Sequence, residues 1–125
     1  MTKTNIVRWV EIPVANMDRA KKFYEALLDT TLTNRKMDDY EMMVFPVDMD
    51  SPGGGAGLIK DKDYKPSKTG LVVYFSTMDI DKSLKMAEAN GGKIVVNKVD
   101  MGEHGFYAHI QDSEGNIVGL IMRRM

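Results

Sequence analysis

Ile12-Pro13-Val14-Ala15-Asn16-Met17-Asp18-Arg19-Ala20-Lys21-Lys22-Phe23-Tyr24 is the stretch that decides the fold, because it carries the chain from a strand pattern into a helix pattern. Ile6 to Pro13 reads as a strand: Val7, Trp9 and Glu11 alternate with Arg8, Val10 and Ile12, the period of two that places successive side chains on opposite faces. Asn16-Met17-Asp18 then offers a short side-chain oxygen to the unpaired backbone N–H groups of a helix start. Ala20, Phe23, Tyr24 and Leu27 follow at helical spacing and give that helix one apolar face as far as about Leu28, where Asp29-Thr30 ends it.

The same transition occurs a second time. Gly70 to Ser76 reads as a strand, and Asp79-Ile80-Asp81 caps a helix that carries Leu84, Ala87 and Ala89. Asn90-Gly91-Gly92 is a strong helix stop. After the first helix come extended segments at Thr31 to Lys36, Tyr40 to Val47 and Ala56 to Lys60, with a turn at Asp38-Asp39. After the second come Lys93 to Asp100, Phe106 to Gln111 and Ile117 to Met122, with a loop at Met101 to Gly105 and a turn at Asp112 to Asn116. Asp18-Arg19-Ala20 corresponds to Asp81-Lys82-Ser83, and Ala56-Gly57-Leu58-Ile59 to Val118-Gly119-Leu120-Ile121, at nearly the same separation. The order is a duplicated βαβββ unit, an α+β chain with one helix over each set of strands. We expect a single domain over 1–125, with a first module over about 5–60, a charged aperiodic linker over 61–69 that holds Pro66, and a second module over about 70–125. Gly53-Gly54-Gly55 lacks the Gly-Lys-Ser/Thr ending of a phosphate loop and opens no helix, so it reads as a hairpin connection.

The totals narrow the function classes. A chain of 125 residues that is 43% hydrophobic and 28% charged has an ordinary globular balance and enough length to bury a core. A net charge of −1 supplies no field toward nucleic acid or an anionic membrane, so neither is an expected partner. The absence of cysteine excludes disulfides, zinc–thiolate sites and thiol nucleophiles. No apolar run approaches the ~18 residues of a membrane span, and the first residues do not resemble a signal peptide, so a cytoplasmic protein is expected. The eleven methionines read chiefly as adaptable core packing.

Two segments, Ile12 to Tyr24 with its Arg19-Ala20 pair followed by Phe23-Tyr24, and Asp112-Ser113-Glu114-Gly115-Asn116, resemble signatures of the vicinal oxygen chelate superfamily of glyoxalases, bleomycin-resistance proteins and extradiol dioxygenases. In the second segment Ser113 stands where the family pattern has proline. Asn90-Gly91-Gly92-Lys93 fits the family's second helix stop, and the resemblance covers nearly the whole chain. It looks closest to the branch related to lactoylglutathione lyase without proven activity. The resemblance implies two tandem βαβββ modules forming a cup-shaped mixed sheet, with a divalent metal held by histidine or glutamate from the first and last strand of each module. It places those ligand positions at Trp9, Val72, Gly57 and Gly119. Indole N–H only donates, and valine and glycine have no side-chain donor atom for a metal, so the expectation is a chain with no metal and no cofactor.

Strand alternation assigns the remaining cup face. Trp9 and Glu11 share one side of the first strand, and Val72 and Tyr74 share one side of the fifth. With Phe106, Ala108 and Ile110 turned to the core, Tyr107, His109 and Gln111 face the cup. Glu11, His109 and Tyr74 are the candidate acid–base residues, since these side chains can move protons. Trp9, Tyr107, Val72, Gly57 and Gly119 are candidate ligand-binding positions. The same residues could also do no more than satisfy one another's hydrogen bonds across the strands. The expected function is a metal-independent protein that binds a small organic molecule, with lyase- or isomerase-type acid–base chemistry. The alternative is a binding protein that sequesters its ligand unchanged, and a divalent-metal lactoylglutathione lyase is the third reading. A homodimer is expected from the habit of the family.

Overall fold

A computed structural model describes residues 7–36, 40–48, 50 and 54–124. The expected start of the first strand at Ile6, the Asp38-Asp39 turn and Gly53 lie outside the described residues. The element order is β1 (Trp9–Pro13), α1 (Met17–Leu28), β2 (Thr33–Lys36), β3 (Glu41–Val44), β4 (Gly55–Lys60), β5 (Tyr74–Ser76), α2 (Ile80–Ala89), β6 (Lys93–Asp100), β7 (Phe106–Gln111) and β8 (Ile117–Met122). The strands form two four-stranded sheets, ordered β1-β4-β3-β2 and β5-β8-β7-β6. In each sheet the first and last strands of the module pair in parallel and the other neighbours are antiparallel. The duplication read from the sequence is thus repeated in topology.

Both helices start on the expected caps. Arg19 N–H donates to Asn16 Oδ1 at 3.0 Å, and Lys82 N–H donates to Asp79 Oδ1 at 3.1 Å. Helix α1 ends at Asp29, which takes left-handed backbone with φ 50°. After α2 the turn passes through Gly91 at φ +96°, where the lack of a Cβ removes the strain. The apolar face of α1 is buried at Met17, Ala20, Phe23, Tyr24 and Leu27, and that of α2 at Ile80, Leu84 and Ala87. Ala89, the last residue of α2, is exposed.

Strands β6, β7 and β8 keep their expected bounds, whereas β2, β3 and β5 are shorter than their sequence patterns. Gly70 to Ser76 contributes only Tyr74–Ser76, Thr31 to Lys36 begins at Thr33, and Tyr40 to Val47 reduces to Glu41–Val44. Leu71 is 96% exposed, so the apolar run ahead of β5 has nothing to pack against, and a strand pattern without a buried face does not hold a ladder. Ladder bonding on this side starts with Gly119 N–H donating to Val73 O at 2.8 Å.

One core serves both modules. Val10, Ile12 and Val14 in the first module, and Ala108, Ile110, Val118 and Leu120 in the second, turn toward the helices. Tyr24, Phe45 and Phe75 join the halves, with ring centroids 5.5–5.7 Å apart. Helices α1 and α2 pack together, whereas the two sheets do not pair with each other. The faces turned away from the helices are therefore left over on each sheet, and they carry the candidate site. Among the described residues no helix is long and apolar enough to cross a membrane.

Candidate functional site

On the first sheet, burial of Val10, Ile12 and Val14 forces Trp9 and Glu11 to the opposite face, as alternation requires. Trp9 Nε1–H donates to Glu11 Oε2 at 3.2 Å, and the Arg35 guanidinium lies 5.4 Å from the indole centroid. The indole spreads over two glycines. A Cβ on Gly57 would sit 3.2 Å from Trp9 Cζ2, and one on Gly55 3.2 Å from Trp9 Cζ3. Glu11 is exposed.

On the second sheet, Ala108 and Ile110 are buried, so Tyr107, His109 and Gln111 take the other face. The Tyr74 hydroxyl and His109 Nε2 are 2.6 Å apart, with ring centroids at 5.4 Å, and Tyr107 flanks His109 at 5.5 Å. Tyr74 is 46% exposed and stays reachable from solvent. Its ring covers Gly119, where a Cβ would lie 2.3 Å from Tyr74 Cδ1. The arrangement mirrors that of the first sheet, an aromatic ring laid across a last-strand glycine.

The register refines the sequence reading of these positions. Gly57 pairs with Glu11, and Gly119 pairs with Tyr74. Glu11 and Tyr74 are thus the equivalent strand neighbours of the two glycines, two residues along from Trp9 and Val72. Val72 lies outside β5 and is 38% exposed. Trp9 and Glu11 form one group, and Tyr74, Tyr107 and His109 form another. No hydrogen bond or ring contact between described residues joins the two groups. His104 sits in a short 3-10 turn, exposed, with its Nε2 3.8 Å from Glu103 Oε1.

A third constellation escaped the site reading although its residues are those that carry the resemblance. Glu114, in the β7–β8 turn, has a side chain with 0% exposure. It accepts from the backbone N–H groups of Ala15 and Asn16 at 2.9 and 2.8 Å, and from Arg19 Nε and Nη2 at 2.6 and 3.0 Å. Burial acts to raise its pKa, but Arg19, the Asn16 N–H, the Ser113 hydroxyl and the Ala15 N–H together hold it below the usual 4.5. Nearby, the Tyr24 hydroxyl donates to Asp112 Oδ2 at 2.5 Å, and Asn116 Nδ2 donates to Pro13 O at 2.8 Å. Burial first, and then the Asp112 carboxyl, push the Tyr24 phenol well above its ordinary value of 10.0. The two signature segments are each other's partners across the module boundary. They position the sheets and touch neither exposed face.

A family model described as Glyoxalase/Bleomycin resistance protein/Dioxygenase superfamily matches residues 6–120. The chain belongs to this superfamily. No curated protein sequence matches the chain. Solved superfamily structures share its fold. A glyoxalase/bleomycin resistance protein from Albidiferax ferrireducens T118 superimposes with TM-score 0.68 at 21% identity, over 95% of this chain and 100% of that one. A glyoxylase/bleomycin resistance protein/dioxygenase domain from Frankia sp. EAN1pec gives TM-score 0.73 at 14% identity, over 98% and 94%. Glyoxalase I from Zea mays gives 0.69 at 21% identity, and there the 91% of this chain that aligns spans 44% of the maize chain.

The divalent metal implied by the superfamily resemblance does not fit the residues present. Among the described residues no group of three or more His, Asp or Glu side chains is placed to hold an ion. The two last-strand positions are glycines: a Cβ on Gly119 would fall on the Tyr74 ring, and one on Gly57 would press on Met43 O at 3.1 Å and Trp9 Cζ2 at 3.2 Å. A ligand side chain at Gly119 and the Tyr74 ring exclude each other. The outward faces carry the rings of Trp9, Tyr74 and Tyr107 with two hydrogen bonds, Trp9 to Glu11 and Tyr74 to His109.

Proposed function

We propose that this superfamily member binds a small organic molecule on the outward strand faces without a metal, and that Tyr74 and His109 are its polar anchor and proton-transfer pair. The observation that carries this is the 2.6 Å contact between the Tyr74 hydroxyl and His109 Nε2 on an open, aromatic-lined face. A hydroxyl is both donor and acceptor, so the phenol can accept from a ligand O–H while it donates to the imidazole. Loss of the ligand proton to the phenol oxygen, with the phenol proton passing to Nε2, conserves charge and needs no further reactant. Trp9, Tyr107 and the glycines Gly57 and Gly119 form walls and floor, as in a mostly apolar small-molecule site. Glu11 is the second acid–base candidate. It is bonded to Trp9 on the other sheet, and a homodimer is part of the reading. A thermal-shift screen of small hydroxy and keto metabolites tests the proposal: a ligand that binds the native state raises the melting temperature by mass action, and Tyr74→Phe or His109→Gln should abolish the shift. Shifts that survive both substitutions sink the assignment. A monomeric mass by light scattering at micromolar concentration removes the dimer.

The separation of Glu11 from the Tyr74–His109 pair favours a second reading, a ligand-sequestering protein without chemistry. Mass spectrometry of the bound molecule after incubation separates the two: an unchanged ligand supports sequestration, and a product of altered mass or altered isomer supports catalysis.

A further inference from the structure

The outward face of the second sheet extends beyond the Tyr74–His109 pair. Gly119 is paired with both Tyr74 and His109, so these three lie on one rung across the strands. On the next rung, toward the start of β6, Ile117 pairs with Gln111 and Gln111 with Lys93. Residues directly opposite in an antiparallel pair point to one side of a sheet, and residues two apart on a strand do so as well. Gln111 and Lys93 therefore stand on the side of His109. Ile94, the neighbour of Lys93, agrees with this, since it packs against the core opposite Ile110.

The fold leaves both of these polar groups unused. Among the described residues, exposed Lys93 makes no ion pair and the half-buried Gln111 amide makes no hydrogen bond. Lys98 on the same strand differs, because its ammonium bonds Asp81 on α2 at 3.2 Å. No aspartate or glutamate is paired into the outward face around His109, and the rung on the far side of the pair holds Ile121, Tyr107 and Val99.

We infer that Lys93 and Gln111 form an anion subsite beside the Tyr74–His109 pair, so that the ligand class is a short hydroxy carboxylate, its carboxylate on Lys93 and Gln111 and its hydroxyl at Tyr74. This rests on the reading of Tyr74 and His109 as the anchor. The supporting observation is the register, which sets two unused N–H donors and the phenol–imidazole pair on neighbouring rungs of one sheet face. An ammonium and a primary amide supply the donors that an acceptor-only carboxylate requires. Same-face neighbours on a strand are about 7 Å apart, a separation that a hydroxy acid of about three or four carbons spans when each end sits at hydrogen-bond distance from its anchor.

The test is calorimetric titration of the full chain with 3-hydroxybutyrate and with its neutral primary amide. The acid should bind about tenfold more tightly than the amide, as expected for hydrogen bonds to a charged group. Lys93→Met keeps an unbranched stem at an exposed position, so it should fold normally, remove the preference for the acid and leave the amide unaffected. Gln111→Glu should weaken the acid alone, by like-charge repulsion. Tyr74→Phe should weaken acid and amide by a similar factor. Equal wild-type affinity for the two probes, with both still weakened by Tyr74→Phe, overturns the anion subsite and leaves the anchor standing. A preference for the acid that survives Lys93→Met also overturns the subsite. A preference that depends on Lys93 but ignores Tyr74→Phe overturns the anchor instead. Binding of neither probe overturns the hydroxy carboxylate class.

Discussion

An ideal Cβ on Gly119 would fall 2.3 Å from Tyr74 Cδ1, and one on Gly57 would meet Trp9 at 3.2 Å. The two positions differ in how much give they have. Gly119→Ala must displace a ring that is hydrogen-bonded to His109, whereas Gly57→Ala asks for a few tenths of an ångström from the Met43 backbone oxygen and Trp9. Gly119→Ala should cost about 1–3 kcal/mol in chemical denaturation, as overpacking does, and Gly57→Ala should cost less. Gly119→Glu should be at least as destabilising and should acquire no stoichiometric metal by elemental analysis, because the ring occupies the new side chain's path. Tyr24 is a different case. Its hydroxyl is a donor to buried Asp112, so Tyr24→Phe leaves an acceptor short of a partner and should lower stability by about 1–3 kcal/mol. The aromatic type of these residues was legible, and so was the face of Trp9, Tyr107 and His109. The 2.6 Å Tyr74–His109 bond was not, because it joins strands that meet only through β8 between them.

At the scale of elements, local chemistry and observed structure agree best where a cap or stop is involved. Asn16 and Asp79 start their helices as expected, and Asn16→Ala should cost about 1 kcal/mol by thermal melting. Asparagine–glycine punctuation after α2 also held, since Gly91 takes φ +96°. Gly91→Ala should destabilise by about 1 kcal/mol for the same reason. Strand ends were read correctly for β6, β7 and β8 and less well for β2, β3 and β5. Gly70 to Val73 have strand-like composition, but alternation describes a strand only where one face is covered, and Leu71 is 96% exposed. Val72 falls outside the strand, while Tyr74, laid over Gly119, is in it.

For the whole molecule, the Glu114 carboxylate is the tie between modules, since it closes the N-terminus of α1 from the far side of the seam. Its pKa is lower in the folded chain than the ordinary 4.5. The unfolded state therefore binds the proton more readily, and the stabilisation is complete above about pH 4.5 and lost as pH falls through the folded value. Glu114→Gln should lower stability by about 2 kcal/mol near neutral pH, as expected for losing charge-assisted hydrogen bonds, and the gap to wild type should narrow in acid. Urea denaturation of both proteins from neutral pH down to pH 3 measures this. A gap that does not change with pH would show that the carboxylate charge contributes nothing to the tie.

The sequence by itself determined the duplication, the α+β order, the helix caps and the side of each strand on which the candidate residues stand. It did so because those depend on local periodicity and on side-chain chemistry a few residues away. It also determined that the positions implied for metal ligands hold no donor atoms, since residue type alone decides that. Only the tertiary structure decided which residues meet. It paired Arg19 with Glu114 and Tyr24 with Asp112, set Tyr74 against His109, and kept Glu11 with Trp9 apart from them. Each of those is a contact between segments far apart in the chain, fixed by how two sheets and two helices pack around one core, and no local pattern carries that information.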